Sequence, residues 1–246
     1  MKQKIAQLFD IGFCWSCDTE LPDRGLVRLR EAGFDGIELW PAFLDKFGAT
    51  QWAAALQATG MRCLQLCPYF DFVHGQEKIA HNRDLLHQYL EAAQELGCGR
   101  IRVFTGPPWG EGVIGVKVAT ENQWRDAIEG LREFCDIAAR LDVELCLECH
   151  EGSLMEDAPS TLRLLSSVAR DNLTVNLQLP LLDEDPQTSV ESLAPYTTHI
   201  HIHNWLDGAR PYQTLTFLEE GIFDWRPVIG EVLQQSKEPT PQAAGH

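Results

Sequence analysis

The stretch Val143-Glu144-Leu145-Cys146-Leu147-Glu148-Cys149-His150 is a short apolar run that ends in an acid and a histidine two residues apart. In a parallel α/β protein, the carboxyl ends of the strands are where ligands and reactive groups collect. Residues i and i+2 share one face of a strand, so Glu148 and His150 can aim at one point. About fifty residues later, His199-Ile200-His201-Ile202-His203-Asn204-Trp205 puts three alternating histidines on one face of a second strand. Two such strand ends predict a polar or metal site at one mouth of a barrel.

Working outward, apolar strand-like runs alternate with helical patterns. The expected strands are Leu8–Phe13, Gly36–Leu39, Arg62–Leu66, Arg100–Phe104, Val143–Glu148, Leu173–Leu177 and His199–His203. Helical spacing of apolar residues marks Pro22–Ala32, Asn82–Leu96, Asn122–Leu141, Ala158–Val168 and Asp224–Gln235. Gly33, Gly60 and Gly97 each follow a helical stretch, as a left-handed stop would. Regular strand–helix alternation means parallel β/α units, so the expected fold is α/β, a TIM-type (β/α) barrel. Seven strands are identifiable and the eighth is missing or incomplete. Residues 1–235 form the expected barrel. The Pro-rich, polar residues 236–246 cannot be a core strand and read as a flexible tail.

Composition narrows the function. The 246 residues suit one barrel, and 44% hydrophobic content is enough for a full core. A net charge of −16 repels phosphate backbones, which disfavours nucleic acid. No apolar run has the length of a membrane span, and no apolar signal core follows Met1-Lys2-Gln3-Lys4, so a cytoplasmic protein is expected. Cys14-x-x-Cys17 and Cys146-x-x-Cys149 have zinc-ribbon or redox spacing. Cys146 and Cys149 would face opposite sides of a strand, however, and buried free thiols are the favoured reading.

Several residues could carry chemistry. Glu148 at a strand end can ligate a hard cation or act as a base; the plain alternative is a salt-bridged structural acid. Of His199, His201 and His203, one or two can reach the mouth, while deeper ones pack in the core. Gln178 ends the sixth strand with an amide that can bind a metal or a hydroxyl. Glu38 faces the mouth if Ile37 and Leu39 pack outward. Trp15, Trp40, Trp109 and Trp205 all fall just after predicted strands and could wall a substrate site. The loop Gly106-Pro107-Pro108-Trp109-Gly110-Glu111-Gly112 lacks the Lys and Ser/Thr of a P-loop and reads as a shaped site loop.

Phe34-Asp35-Gly36-Ile37-Glu38-Leu39, Glu95-Leu96-Gly97, Leu147-Glu148-Cys149-His150, His199-Ile200-His201-Ile202 and Glu219-Glu220-Gly221-Ile222-Phe223-Asp224-Trp225 together resemble the xylose isomerase-like TIM barrels. The resemblance spans roughly residues 5 to 235, and the order and spacing of the motifs carry it. It implies a sugar, sugar-phosphate or inositol-like isomerase or epimerase. A divalent metal (Mn, Mg, Co or Zn) would assist proton transfer α to a carbonyl. The family's metal set falls on Glu148, on Gln178 where an Asp is usual, and on His201; its strand-eight Glu has no counterpart. Glu148 and His150 would be catalytic, and Trp15, Glu38, Trp40, Trp109 and Trp205 would bind a small polyhydroxylated substrate. A metal-free pseudoenzyme or carbohydrate-binding protein is the alternative, favoured by the neutral Gln178. A remote alternative is repair of the endonuclease IV type, but His74, His81 and His87 do not recreate its zinc cluster. A missing strand would leave an apolar seam that a second copy could cover, so a homo-oligomer is allowed.

Overall fold

The computed structural model of the protein describes residues 9–15, 22–181, 184–206 and 215–235. Seven strands form one parallel sheet in chain order: β1 (Gly12–Trp15), β2 (Gly36–Leu39), β3 (Arg62–Leu66), β4 (Arg100–Val103), β5 (Glu144–Glu148), β6 (Leu173–Leu179) and β7 (Thr197–Ile202). The helices are α1 (Pro22–Glu31), α2 (Pro41–Phe47), α3 (Ala49–Thr59), α4 (Gln76–Leu96), α5 (Glu121–Ala138), α6 (Ala158–Val168), α7 (Pro186–Leu193) and α8 (Trp225–Gln235).

The sheet curls on itself. His199 on β7 reaches Glu38 on β2 and Arg100 on β4, so side chains from distant strands meet across a common interior. This is a (β/α) barrel with seven strands. No eighth strand occurs among the described residues, as the sequence pattern led us to expect. The expected tail, 236–246, lies outside them.

Alternation along the strands separates two layers. Ile37, Leu39, Leu66, Ile101, Val103, Leu145, Leu147, Val175 and Leu177 are fully buried in the hydrophobic core. Glu38, Gln65, Arg102, Glu148, Asn176 and Gln178 occupy the alternate positions and are also buried, yet polar. A barrel of this kind ordinarily fills its interior with branched apolar side chains. Here charged and amide groups fill it, so the inner face is a site and the outer face is the core.

Helix ends follow local chemistry. Thr120 and Gln123 form a reciprocal capping box at the start of α5, and Asp157 does the same with Ser160 at α6. Gly60 and Gly97 stop α3 and α4 in the left-handed conformation, at φ 66° and 61°, as expected. Other boundaries move. β1 begins four residues later than the Leu8–Phe13 run, and α4 begins six residues before Asn82. β6 extends two residues further, to Leu179; β7 begins at Thr197 and ends at Ile202, before His203. Helices α2 and α7 had no place in the sequence reading, and α3 was marked only at its end, by Gly60.

Beyond β7, Asn204 acts as a clamp. Its amide donates to the carbonyls of Leu218 (2.7 Å) and Phe223 (3.0 Å) and accepts from the backbone N–H of Phe223 (3.0 Å) and Trp205 (3.1 Å). Asn204 lies so close to Gly221 that any Cβ there would overlap its amide at 2.0 Å. The segment that resembled a family motif, 219–225, is thus pinned to the end of β7.

Candidate active site

Glu148 is the last residue of β5, and His201 sits next to last on β7. The period-2 rule turns both inward. Glu148 Oε1 lies 3.4 Å from His201 Nδ1. The far nitrogen, His201 Nε2, lies 2.8 and 3.1 Å from the two oxygens of Glu38. Glu38 Oε1 also meets His199 Nε2 at 2.7 Å. On the other side, Arg102 Nη1 donates to Glu148 Oε2 at 3.1 Å. The result is one buried chain of charge: Glu38, His201, Glu148, Arg102.

Its electrostatics follow from burial and pairing. Burial alone would raise the Glu148 carboxyl, but His201 and Arg102 outweigh it and bring it down to about 2. Burial likewise opposes ionisation of Glu38, yet the two imidazoles hold it well below the ordinary carboxylate range. Burial would lower His201; the two carboxylates on either side win and raise it to about 10. His199 goes the other way, because burial dominates its single acid partner. Arg100 Nη1 faces His199 Nδ1 at 3.5 Å, and a guanidinium can only donate. The neutral His199 ring therefore carries its proton on Nε2 and donates it to Glu38. Burial and the neighbouring His201 charge press His203 down to about 4.

Above this chain is a cavity of about 810 Å³, lined by Glu38, Trp40, Arg102, Trp109, Glu148, His150, Gln178, His201 and His203. The volume suits a small-molecule site. His150 stands at its edge, with Nδ1 donating to the Glu151 carbonyl at 2.7 Å. Trp109 is 54% exposed and forms an aromatic wall with Tyr69, Phe104 and His150. Trp40 meets Tyr69 edge-on at 6.4 Å.

The sequence-selected residues divide as follows. Glu148, His150, His201, Glu38, Trp40, Trp109 and Gln178 all line the cavity. Gln178 is buried, in register with His201 on the neighbouring strand. Glu38, at the floor, is also the partner of two histidines. Trp205 is half-buried and bridges Leu215 through its backbone, away from the cavity lining. The side chain of Trp15 lies outside the described residues. Cys146 and Cys149 are buried thiols that contact Thr198 and Thr161 respectively, so they share no site. Arg102 is the residue that sequence reading missed. Its signal was Arg100-Ile101-Arg102-Val103, a strand with two like charges at period 2.

Whether these residues suit a metal can be tested on their chemistry. Glu38, His199 and His201 present a carboxylate oxygen and two imidazole nitrogens within 4.8 Å of one another, a possible three-residue cation site. The protons stand against it: His199 Nε2 donates to Glu38, and His201 is bracketed by acids on both nitrogens. At the family's positions, Gln178 offers no charge, and Arg102 already occupies the flank of Glu148. Glu38 and Glu148 are balanced by His201 and Arg102, and one layer below Arg100 pairs with Glu144 at 3.3 Å. The interior is neutral as built and does not fit a resident divalent ion without losing a proton.

A curled parallel sheet with its polar chemistry at the strand ends is a (β/α)-barrel small-molecule site. The chain belongs to the xylose isomerase-like TIM barrel family, whose profile matches residues 26–237. It is 25% identical over 189 residues to the 3-dehydroshikimate dehydratase of Bacillus anthracis, covering 71% of this chain; the chain spans 63% of the length of that protein. The solved structure of the probable 3-DHS dehydratase AsbF from Bacillus anthracis superposes with a TM-score of 0.76 at 20% identity, covering 96% of this chain and 94% of that one. A D-psicose 3-epimerase from Clostridium cellulolyticum H10, solved with D-tagatose, gives 0.72 at 17% identity, covering 96% and 87%. Other solved structures of this fold carry zinc or magnesium. No helix among the described residues is long and apolar enough to cross a membrane.

Proposed function

We propose that the protein is a cytoplasmic isomerase or epimerase of a small polyhydroxylated carbonyl compound, sugar- or inositol-like, that moves a proton α to the carbonyl. The observation that carries this reading is the convergence of Glu148 and His201 on the floor of the cavity. A substrate carbonyl accepts the His201 Nδ1 hydrogen bond in place of Glu148, whose contact with that nitrogen is long. Glu148 thereby loses its imidazolium partner, becomes more basic and takes the α proton. The imidazolium stabilises the oxygen charge that develops on the enediolate. Return of the proton by Glu148 to the former carbonyl carbon, with His201 giving its Nδ1 proton to the former carbonyl oxygen and taking the proton of the neighbouring hydroxyl, gives isomerisation. Return from the opposite face by a second group, His150, gives epimerisation. Trp40 and Trp109 supply apolar walls for the substrate, and Gln178 a hydrogen-bonding amide.

The sequence match to a dehydratase supports a second outcome of the same first step. An enolate with a hydroxyl on the β carbon can expel it as water. The test is incubation in D₂O with a ketose panel (D-fructose, D-psicose, D-tagatose) and with 3-dehydroshikimate, followed by proton NMR. Exchange of the α proton with an epimeric or isomeric product supports the first reading; loss of water supports the second. Glu148→Gln should slow either by roughly 10²–10⁴-fold. Saturable sugar binding with no exchange in any substrate would instead make the barrel a binding protein.

A further inference from the structure

Arg102 is 2% exposed, an unusual place for a guanidinium. It is held on every side. Nη2 donates to the Cys67 carbonyl at 2.8 Å, and Nη1 to Glu148 at 3.1 Å. Its guanidinium carbon lies 4.6 Å from the Tyr69 ring centre, 4.8 Å from Phe104 and 5.7 Å from Trp40. Three rings and two hydrogen bonds leave the group no freedom to swing away. Its Nε–H, buried, has no partner among the described residues. The charge of a caged cation this close to a carboxylate is screened far less than that of a surface pair.

We infer that Arg102 is the resident cation of this barrel: it holds Glu148 in place through its hydrogen bond, and by its fixed charge it keeps a divalent ion out of the cavity. A metal ligated by Glu148 would sit within a few ångströms of a guanidinium that cannot deprotonate and cannot retreat. Gln178 contributes no charge to offset that repulsion. Arg102 thus serves as a positioning residue that acts through Glu148, and the enediolate charge is met by groups the chain itself supplies. This goes beyond the proposed reaction and does not need its substrate, since metal affinity is read without turnover.

The experiment is calorimetric titration of the untagged full-length protein with MnCl₂ and with ZnCl₂. Four forms are compared: wild type, His201→Ala, Arg102→Met, and Arg102→Met combined with His201→Ala. Methionine keeps the packing against the three rings and removes the charge. The wild type is expected to show no equivalent of either ion that depends on His201. Arg102→Met is expected to bind one equivalent at least tenfold tighter than wild type, and the double variant to lose that gain. A wild type that binds one equivalent lost in His201→Ala overturns the inference, as does a folded Arg102→Met that binds no more tightly. If Arg102→Met does not fold, the comparison of wild type with His201→Ala decides alone. Failure of the sugar panel would sink the proposed reaction and leave this titration standing.

Discussion

Glu148, His201 and Glu38 share two protons' worth of bonding at the floor of the cavity. His201, raised to about 10, is bound to a proton in the folded protein at pH values where an unfolded histidine has released it. Its contribution is fully present below about pH 6.5 and is lost as pH rises toward 10. We expect urea-derived stability to fall by a few kcal/mol between those limits, and the fall to be largely absent in His201→Gln. Glu148 has the opposite sign: its folded value of about 2 gives stability that is present above about pH 4.5 and lost on further acidification. Truncating Arg102 to Ala leaves that buried carboxylate with His201 as its one cationic partner, and should cost roughly 3 kcal/mol in the same measurement. Glu148 and His201 were legible in the sequence because period 2 fixes which way a strand residue points. Arg102 was not, because its partner lies on another strand, 46 residues on, and the local signal of two arginines at period 2 does not say what they pair with.

Elements are held by side chains that reach across the chain. Asn204 is 1% exposed and satisfies four backbone groups of the segment that follows β7. Asn204→Ala should cost about 1–3 kcal/mol, because those carbonyls and N–H groups are left without partners. Hydrogen exchange should rise in residues 215–223 before it rises in the sheet. Behind the sheet, Phe134 of α5 is fully buried and meets Phe70 and Phe72 edge-on at 5.4 and 5.0 Å. Phe134→Ala should lower stability by roughly 3–5 kcal/mol through lost burial and the cavity left behind. Six of the seven strands were read close to their places, because their outward residues are apolar and their flanks carry turn residues. β1 was misplaced because Leu8-Phe9 and Ile11 form the more apolar run, whereas pairing with β2 in register sets the strand at Gly12–Trp15. Helix α2 escaped, although proline is well placed as its first residue, and α3 was marked only by the Gly60 that stops it.

At the scale of the molecule, a sheet with an apolar outer face and a charged inner face must curl, since only closure removes those charges from open water while letting them pair. The eighth place in that curl is empty of strand among the described residues. There the cavity runs between Phe9, Ile11 and Gly12 on one side and Leu218, Ile229, Val232 and Leu233 on the other. The seven identifiable strands were legible in the sequence; the groups around the eighth place depend on long-range packing and were not. The −16 charge acts on the molecule as a whole. Duplex DNA, with or without an abasic site, should show no binding in an electrophoretic assay at moderate salt; a micromolar complex there would revive a repair function.

The account rests on the chain of charge through Glu38, His201, Glu148 and Arg102. Nitrogen-15 NMR of the imidazole of His201 at pH 8 tests it most directly, with His201→Gln used to assign the signal. Two protonated ring nitrogens at that pH are the expected result. A neutral ring that titrates near the ordinary histidine value would mean that the two carboxylates do not converge on it, and the site as described would not exist.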